Sequence, residues 1–130
     1  MTLELDAARP ILDGPMFDRI CALLAPDALD AYLGTIAERS EAILRTLQGA
    51  APGVTADEAL ADAVHALGGS AGMFGCKRLA ETGQRFEHGL RTAGADIARL
   101  ADEFRAAVEA SMRELRRHRL RLVEPGALQN

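Results

Sequence analysis

Hydrophobic residues recur along most of the chain at steps of three and four, with charged and small residues between them. The first such run, Met16, Phe17, Ile20, Leu23 and Leu24, predicts a short helix over 14–25. Pro26 and Asp27 stop it and start the next, with Asp27 as the expected N-cap. Leu29, Leu33, Ile36, Ser40, Ile43 and Leu47 trace one stripe of a helix over 28–48, which Gly49 and the run 49–54 end. Thr55 stands three residues before Glu58, a capping-box pattern that opens a third helix over 56–73. Its stripe is Leu60, Val64, Leu67, Ala71 and Phe74, and Gly75 fits the C′ position. Leu79, Phe86 and Leu90 mark a fourth helix over 77–92, closed by Gly94. Ile97, Leu100, Phe104, Val108, Ser111 and Leu115 mark a fifth over 95–121. Period-two alternation never persists for more than a few residues, so no strand is expected. Short links make successive helices antiparallel neighbours. The pattern therefore predicts an all-α chain, an antiparallel up-down four-helix bundle with an additional short N-terminal helix. The bundle occupies 14–121, with tails at 1–13 and 122–130.

Composition agrees with helix. Alanine fills 25 of 130 positions, and there is no Trp and one Tyr, whereas sheets favour aromatic and β-branched residues. A net charge of −4 argues against a general nucleic-acid binder. No window approaches the roughly 18 apolar residues of a membrane helix, and the acidic N-terminal stretch lacks the apolar run of a secretory leader. Cys21 and Cys76 are far apart and outside any metal-ligand spacing, which fits reduced thiols in the cytoplasm. His88 and His118 stand at no metal-ligand spacing either, so no metal site is expected. No glycine-rich phosphate loop follows a strand, which excludes a nucleotide-binding fold of that kind. Arg113, Arg116, Arg117, Arg119 and Arg121 cluster late in the fifth helix. There they complement the negative end of the helix dipole or offer a surface to an anionic partner.

Glycine changes the picture. Of twelve glycines, four fall between Gly68 and Gly75. On the third helix the surface neighbours of His65 are Ala61, Gly68, Gly69 and Gly72, the smallest residues there are. Each helical glycine costs about 1 kcal/mol against alanine. Such a face serves close helix–helix packing, a kink, or the close approach of another protein with His65 reaching into it.

The stretch from His65 to Gly75 resembles the histidine-containing phosphotransfer (HPt) family. His65, Leu67, Gly69, Gly75, Leu79 and Glu87 carry the resemblance, which extends over about 11–115. It departs at Gly68, where the family usually has Lys or Arg. The resemblance implies that His65 accepts a phosphoryl group from the phospho-aspartate of a receiver domain and passes it to another receiver in a two-component phosphorelay. The partners it implies are response regulator receiver domains and a hybrid histidine kinase, with Mg²⁺ supplied by the receiver and no cofactor held by this chain. The chain is then a phosphocarrier without its own kinase domain, a monomer that binds neither nucleic acid nor membrane. Ala61, Gly68, Gly69 and Gly72 form the expected docking face. Glu87 or Asp62 is the candidate to orient Nδ1 of His65, and Arg91 the candidate cation in place of the one absent at Gly68. The alternative is a non-phosphorylated HPt-like helical adaptor that binds signalling partners.

Overall fold

The computed structural model describes residues 11–49, 58–92 and 94–122. Among them are five helices and no strand: α1 (Gly14–Leu23), α2 (Pro26–Gly49), α3 (Glu58–Met73), α4 (Lys77–Leu90) and α5 (Ile97–Leu122). The tails over 1–10 and 123–130, the Thr55 capping box and the side chains of Arg119 and Arg121 lie outside the described residues.

Local chemistry sets the helix ends. Asp13 caps α1 by accepting the Met16 N–H at 3.1 Å. α2 starts earlier than Asp27, because Pro26, with no N–H to satisfy, suits the first helical position. The Ala25 carbonyl takes the first helical bond, from Leu29 at 2.9 Å. Asp27 is therefore not the N-cap; it lies in the first turn, where its charge complements the helix dipole. Asp96 caps α5 through the Arg99 N–H at 3.1 Å. α4 ends at Leu90 with Arg91 as C-cap, so Gly94, at φ +82°, shapes the link to α5 rather than closing α4.

The turn between α3 and α4 is a Schellman motif. Gly75 takes φ +87°, its N–H reaches the Gly72 carbonyl at 3.0 Å, and the Cys76 N–H reaches that of Ala71 at 3.0 Å. This turn folds α4 back along α3, and the two are the most closely packed pair. α5 packs on α4, and α2 closes the bundle against α3 and α5. Small residues permit the approach: a Cβ on Gly72 would sit 3.6 Å from that of Ala80, and one on Gly83 3.8 Å from Val64 and Phe104.

The predicted stripes form the core. Ile36, Leu67, Leu79, Phe86, Leu90 and Phe104 are all but fully buried. The rings of Phe86 and Phe104 lie 5.2 Å apart and join α4 to α5. α1 covers one end of the bundle through Phe17, which packs on Phe74 and meets the His118 ring edge-on at 5.7 Å. Leu23, expected on the apolar stripe, is 79% exposed, because the line that faces the core runs through Phe17, Ile20 and Leu24 and leaves Leu23 to one side. Neither cysteine is in a disulfide, and burial pushes the Cys76 thiol up to about 12. No described helix is long and apolar enough to cross a membrane.

Candidate functional site

His65 sits midway along α3 with its side chain 74% exposed. The core stripe of Val64 and Leu67 flanks it, so the backbone is held firmly while the imidazole stands clear. From α4, Glu87 meets it: Nδ1 and Glu87 Oε1 are 2.9 Å apart. An ionised carboxylate only accepts, so Nδ1 carries the proton and donates. Neutral His65 then keeps its lone pair on Nε2, the nitrogen away from Glu87.

Glu87 is itself held. Its Oε2 accepts from Arg91 Nε at 3.2 Å, one turn further on at the C-cap of α4. The other guanidinium nitrogens cross back to α3, one to Glu58 at 2.6 Å and one to Asp62 at 2.9 Å. The contacts thus run from His65 to Glu87 to Arg91 and return to the helix that bears His65. Asp62 faces Arg91, and Glu87 is the group that meets the imidazole. All three guanidinium nitrogens of Arg91 are committed to carboxylates, which sets it behind Glu87 rather than beside His65 as a free cation.

The electrostatics follow from these contacts. The His65 hydrogen bond, with Arg91 assisting, holds the Glu87 carboxyl below its ordinary value, against an opposing effect of burial. The Asp62 and Glu58 carboxylates push the Arg91 guanidinium further up. Because the folded Glu87 value is depressed, its contribution to stability is complete above its unfolded value and disappears as pH falls through the folded one. A ¹³C titration of the Glu87 carboxyl should give a midpoint below that of an ordinary exposed glutamate, moving upward in His65→Ala. A wild-type midpoint no lower than that of an ordinary glutamate contradicts this arrangement.

The four small neighbours of His65 divide into three environments. Ala61 is 1% exposed and belongs to the core; it is not part of an open ridge, because α3 is covered along more than one stripe. Gly68 and Gly72 are half-buried against Ala80 of α4 and allow the helices to approach. Gly69 is exposed, and a Cβ there would meet nothing within 4 Å. One turn on, Met73 is 59% exposed on the same side of α3.

A small hollow of about 130 Å³ opens next to the imidazole, bounded by His65, Gly68, Gly69, Ala80, Gln84 and Glu87. Gln84 is not singled out by the sequence, and Glu58 is read there only as the partner of Thr55 in a capping box, not as part of the site. The signal was present, since Glu58, Asp62 and His65 share one face of α3, and Gln84, Glu87 and Arg91 share one face of α4. Among the described residues no group of three His, Cys, Asp or Glu side chains is placed to hold a metal ion.

No curated protein and no solved structure matches the chain. The model of one family, described as the Hpt domain, matches residues 28–118, more than two thirds of the chain and all of α3 and α4. With a helical bundle that exposes a histidine held by a carboxylate from the next helix, the chain belongs to the Hpt domain family, a family of phosphocarriers rather than catalytic enzymes.

Proposed function

We propose that this chain is a histidine phosphotransfer protein of a two-component phosphorelay, with His65 as its phosphoryl acceptor. The observation that carries the reading is the exposed imidazole whose Nδ1–H is held by Glu87, leaving Nε2 as the nucleophile. Nε2 attacks the phosphorus of a receiver phospho-aspartate in line; the N–P bond forms, the P–O bond to the aspartate breaks, and the aspartate leaves as a carboxylate. The ring gains positive charge, and Glu87 is already placed to stabilise it through Nδ1–H. The receiver would supply the Mg²⁺ needed to neutralise the phosphoryl oxygens. Onward transfer to a second receiver reverses these steps. Three carboxylates against the single guanidinium leave the surround of His65 negative, which favours release of the phosphoryl group over storage.

Docking on the side of α3 that carries Gly69 and Met73 fits the same reading. Gly69 lets a partner backbone approach closely, and Met73 offers exposed apolar surface beside it. Gly69→Ala should leave transfer nearly intact and stabilise the fold by about 0.5–1 kcal/mol, because glycine is unfavourable inside a helix and the Cβ finds open space. Gly69→Leu should keep the fold but lower transfer from a phosphorylated receiver by roughly tenfold, the equivalent of about 1.4 kcal/mol of lost docking. Undiminished transfer in the leucine variant argues against this face.

The proposed partners are receiver domains and a hybrid histidine kinase, and the proposed setting is a monomer in the cytoplasm. The decisive experiment incubates the chain with a panel of phosphorylated receivers and tests the stability of the label. Acid-labile, base-stable label mapping to His65 supports the phosphocarrier. Binding of receivers without any label supports the helical adaptor instead, a reading that Gly68, in place of a cation, favours.

A further inference from the structure

The position of Arg91 has a consequence beyond transfer at His65. We propose that Arg91 is a positioning residue for His65, acting through Glu87 to fix the imidazole as the Nδ1–H tautomer. The proposal rests on the phosphocarrier reading for its kinetic consequence, but its structural content stands apart from it.

Glu87 could not do this as firmly alone. Its side chain is flexible, and one contact to an exposed imidazole would leave the carboxylate free to turn into water. The Arg91 Nε contact on Oε2 fixes the second oxygen, so Oε1 is presented to Nδ1 in a defined direction. Arg91 is in turn prevented from turning away. Glu58 and Asp62 stand one helical turn apart on α3, and each takes a different terminal nitrogen of the guanidinium. A planar fork with donors on all three nitrogens is suited to three carboxylates on two helices, and a lysine ammonium is not. Arg91 thereby joins the helix of the acceptor to the helix of its orienting group. This separates it from an ordinary exposed pair four residues apart: its side chain is only one third exposed and its partners lie on both helices.

Arg91 also keeps Glu87 an acceptor. A cation on Oε2 favours the ionised carboxylate, which cannot donate to Nδ1, so the ring is left with one productive orientation of its proton. Free neutral histidine prefers the opposite tautomer, with the proton on Nε2, where it would block attack.

The test is long-range ¹H–¹⁵N correlation on histidine-labelled protein, above the pH at which the imidazole is protonated. A parallel measurement follows the rate of phosphorylation by phosphoramidate, a small donor that needs no receiver. Wild type should show the Nδ1–H pattern at His65. Arg91→Ala should show a mixture shifted toward Nε2–H and accept phosphate roughly tenfold more slowly, a loss of the size seen when the hydrogen-bond partner that orients a metal-ligating histidine is removed. Arg91→Lys should fall between them. The double variant Glu58→Gln, Asp62→Asn, which retains Arg91 but frees it from α3, should move both readouts the same way and covers the case in which Arg91→Ala unfolds. An unchanged tautomer in Arg91→Ala, or slower acceptance with the tautomer unchanged, overturns the proposal. If wild type takes no label from phosphoramidate or from any receiver, the phosphocarrier reading fails, and the tautomer comparison still decides the role of Arg91.

Discussion

His65→Gln should take no label from any phosphorylated receiver, while its circular dichroism stays helical and its melting temperature stays close to wild type. The side chain is 74% exposed, so its removal opens no cavity and leaves no buried group unsatisfied. Glutamine retains an amide donor for Glu87 but has no nucleophilic nitrogen, so it separates the chemistry from the hydrogen bond. Stability should change by no more than about 0.5 kcal/mol, as at other surface positions. The remaining histidines make the result specific. His118 packs its ring on Phe17 and bonds through Nδ1 to the Glu114 carbonyl, which places it in the structural end of the bundle. His88 is exposed near the end of α4 and serves as an internal control for nonspecific labelling of an accessible imidazole. Acid-labile label at full stoichiometry in His65→Gln would move the acceptor to one of these and overturn the assignment.

The core was legible in the sequence where one helix face decides burial. Leu60, Val64, Leu67 and Ala71 are all buried, because a 3.6-residue period leaves them on one side of α3 whatever packs there, and Phe74 is buried beside them in the turn that follows. Ala61 was misplaced for the complementary reason. It is a surface neighbour of His65 by spacing alone, but α2 and α4 both pack on α3 and widen its buried arc to include it. Asp27 was misplaced because two start signals compete within two residues, and the fixed φ of Pro26 prevails over the capping tendency of the aspartate. The site shows the same division. The alignment of Glu58, Asp62 and His65 on α3, and of Glu87 and Arg91 on α4, follows from spacing. Which of them meet across the two helices depends on rotation and separation, which the contacts of Gly72 and Gly83 set. Thus Glu87 and Asp62 were equal candidates for Nδ1 in the sequence, and the docked helices bring Glu87 to the imidazole and Asp62 to Arg91.

Those docked helices depend on one backbone conformation, and Gly75→Ala should cost about 1.5–4 kcal/mol in stability, summing a left-handed residue with a Cβ and a disturbed helix cap. Gly75 takes φ +87°, which an L side chain disfavours, and both orphan-carbonyl bonds of the Schellman turn depend on it. Space is also lacking: a Cβ there would lie 2.8 Å from the Asp13 carbonyl oxygen and 3.3 Å from the Asp13 Cβ. Asp13 cannot move without loss, because its N–H donates to the Gly75 carbonyl at 2.7 Å and its side chain caps α1. Thermal unfolding should therefore fall by roughly 10 °C for a chain of this size. Gly34→Ala is the matched control. That glycine lies inside α2 without a positive φ and with nothing within 4 Å of a new Cβ, so the same substitution should leave the protein slightly more stable. A melting temperature for Gly75→Ala within a degree of wild type would show that the turn does not constrain the α3–α4 pair. If the turn does constrain it, the surviving folded fraction should still accept phosphate, since Gly75 lies ten residues from His65 and the atoms nearest a Cβ there all belong to Asp13. Loss of stability with retained acceptance would separate what builds the helix pair from what uses it.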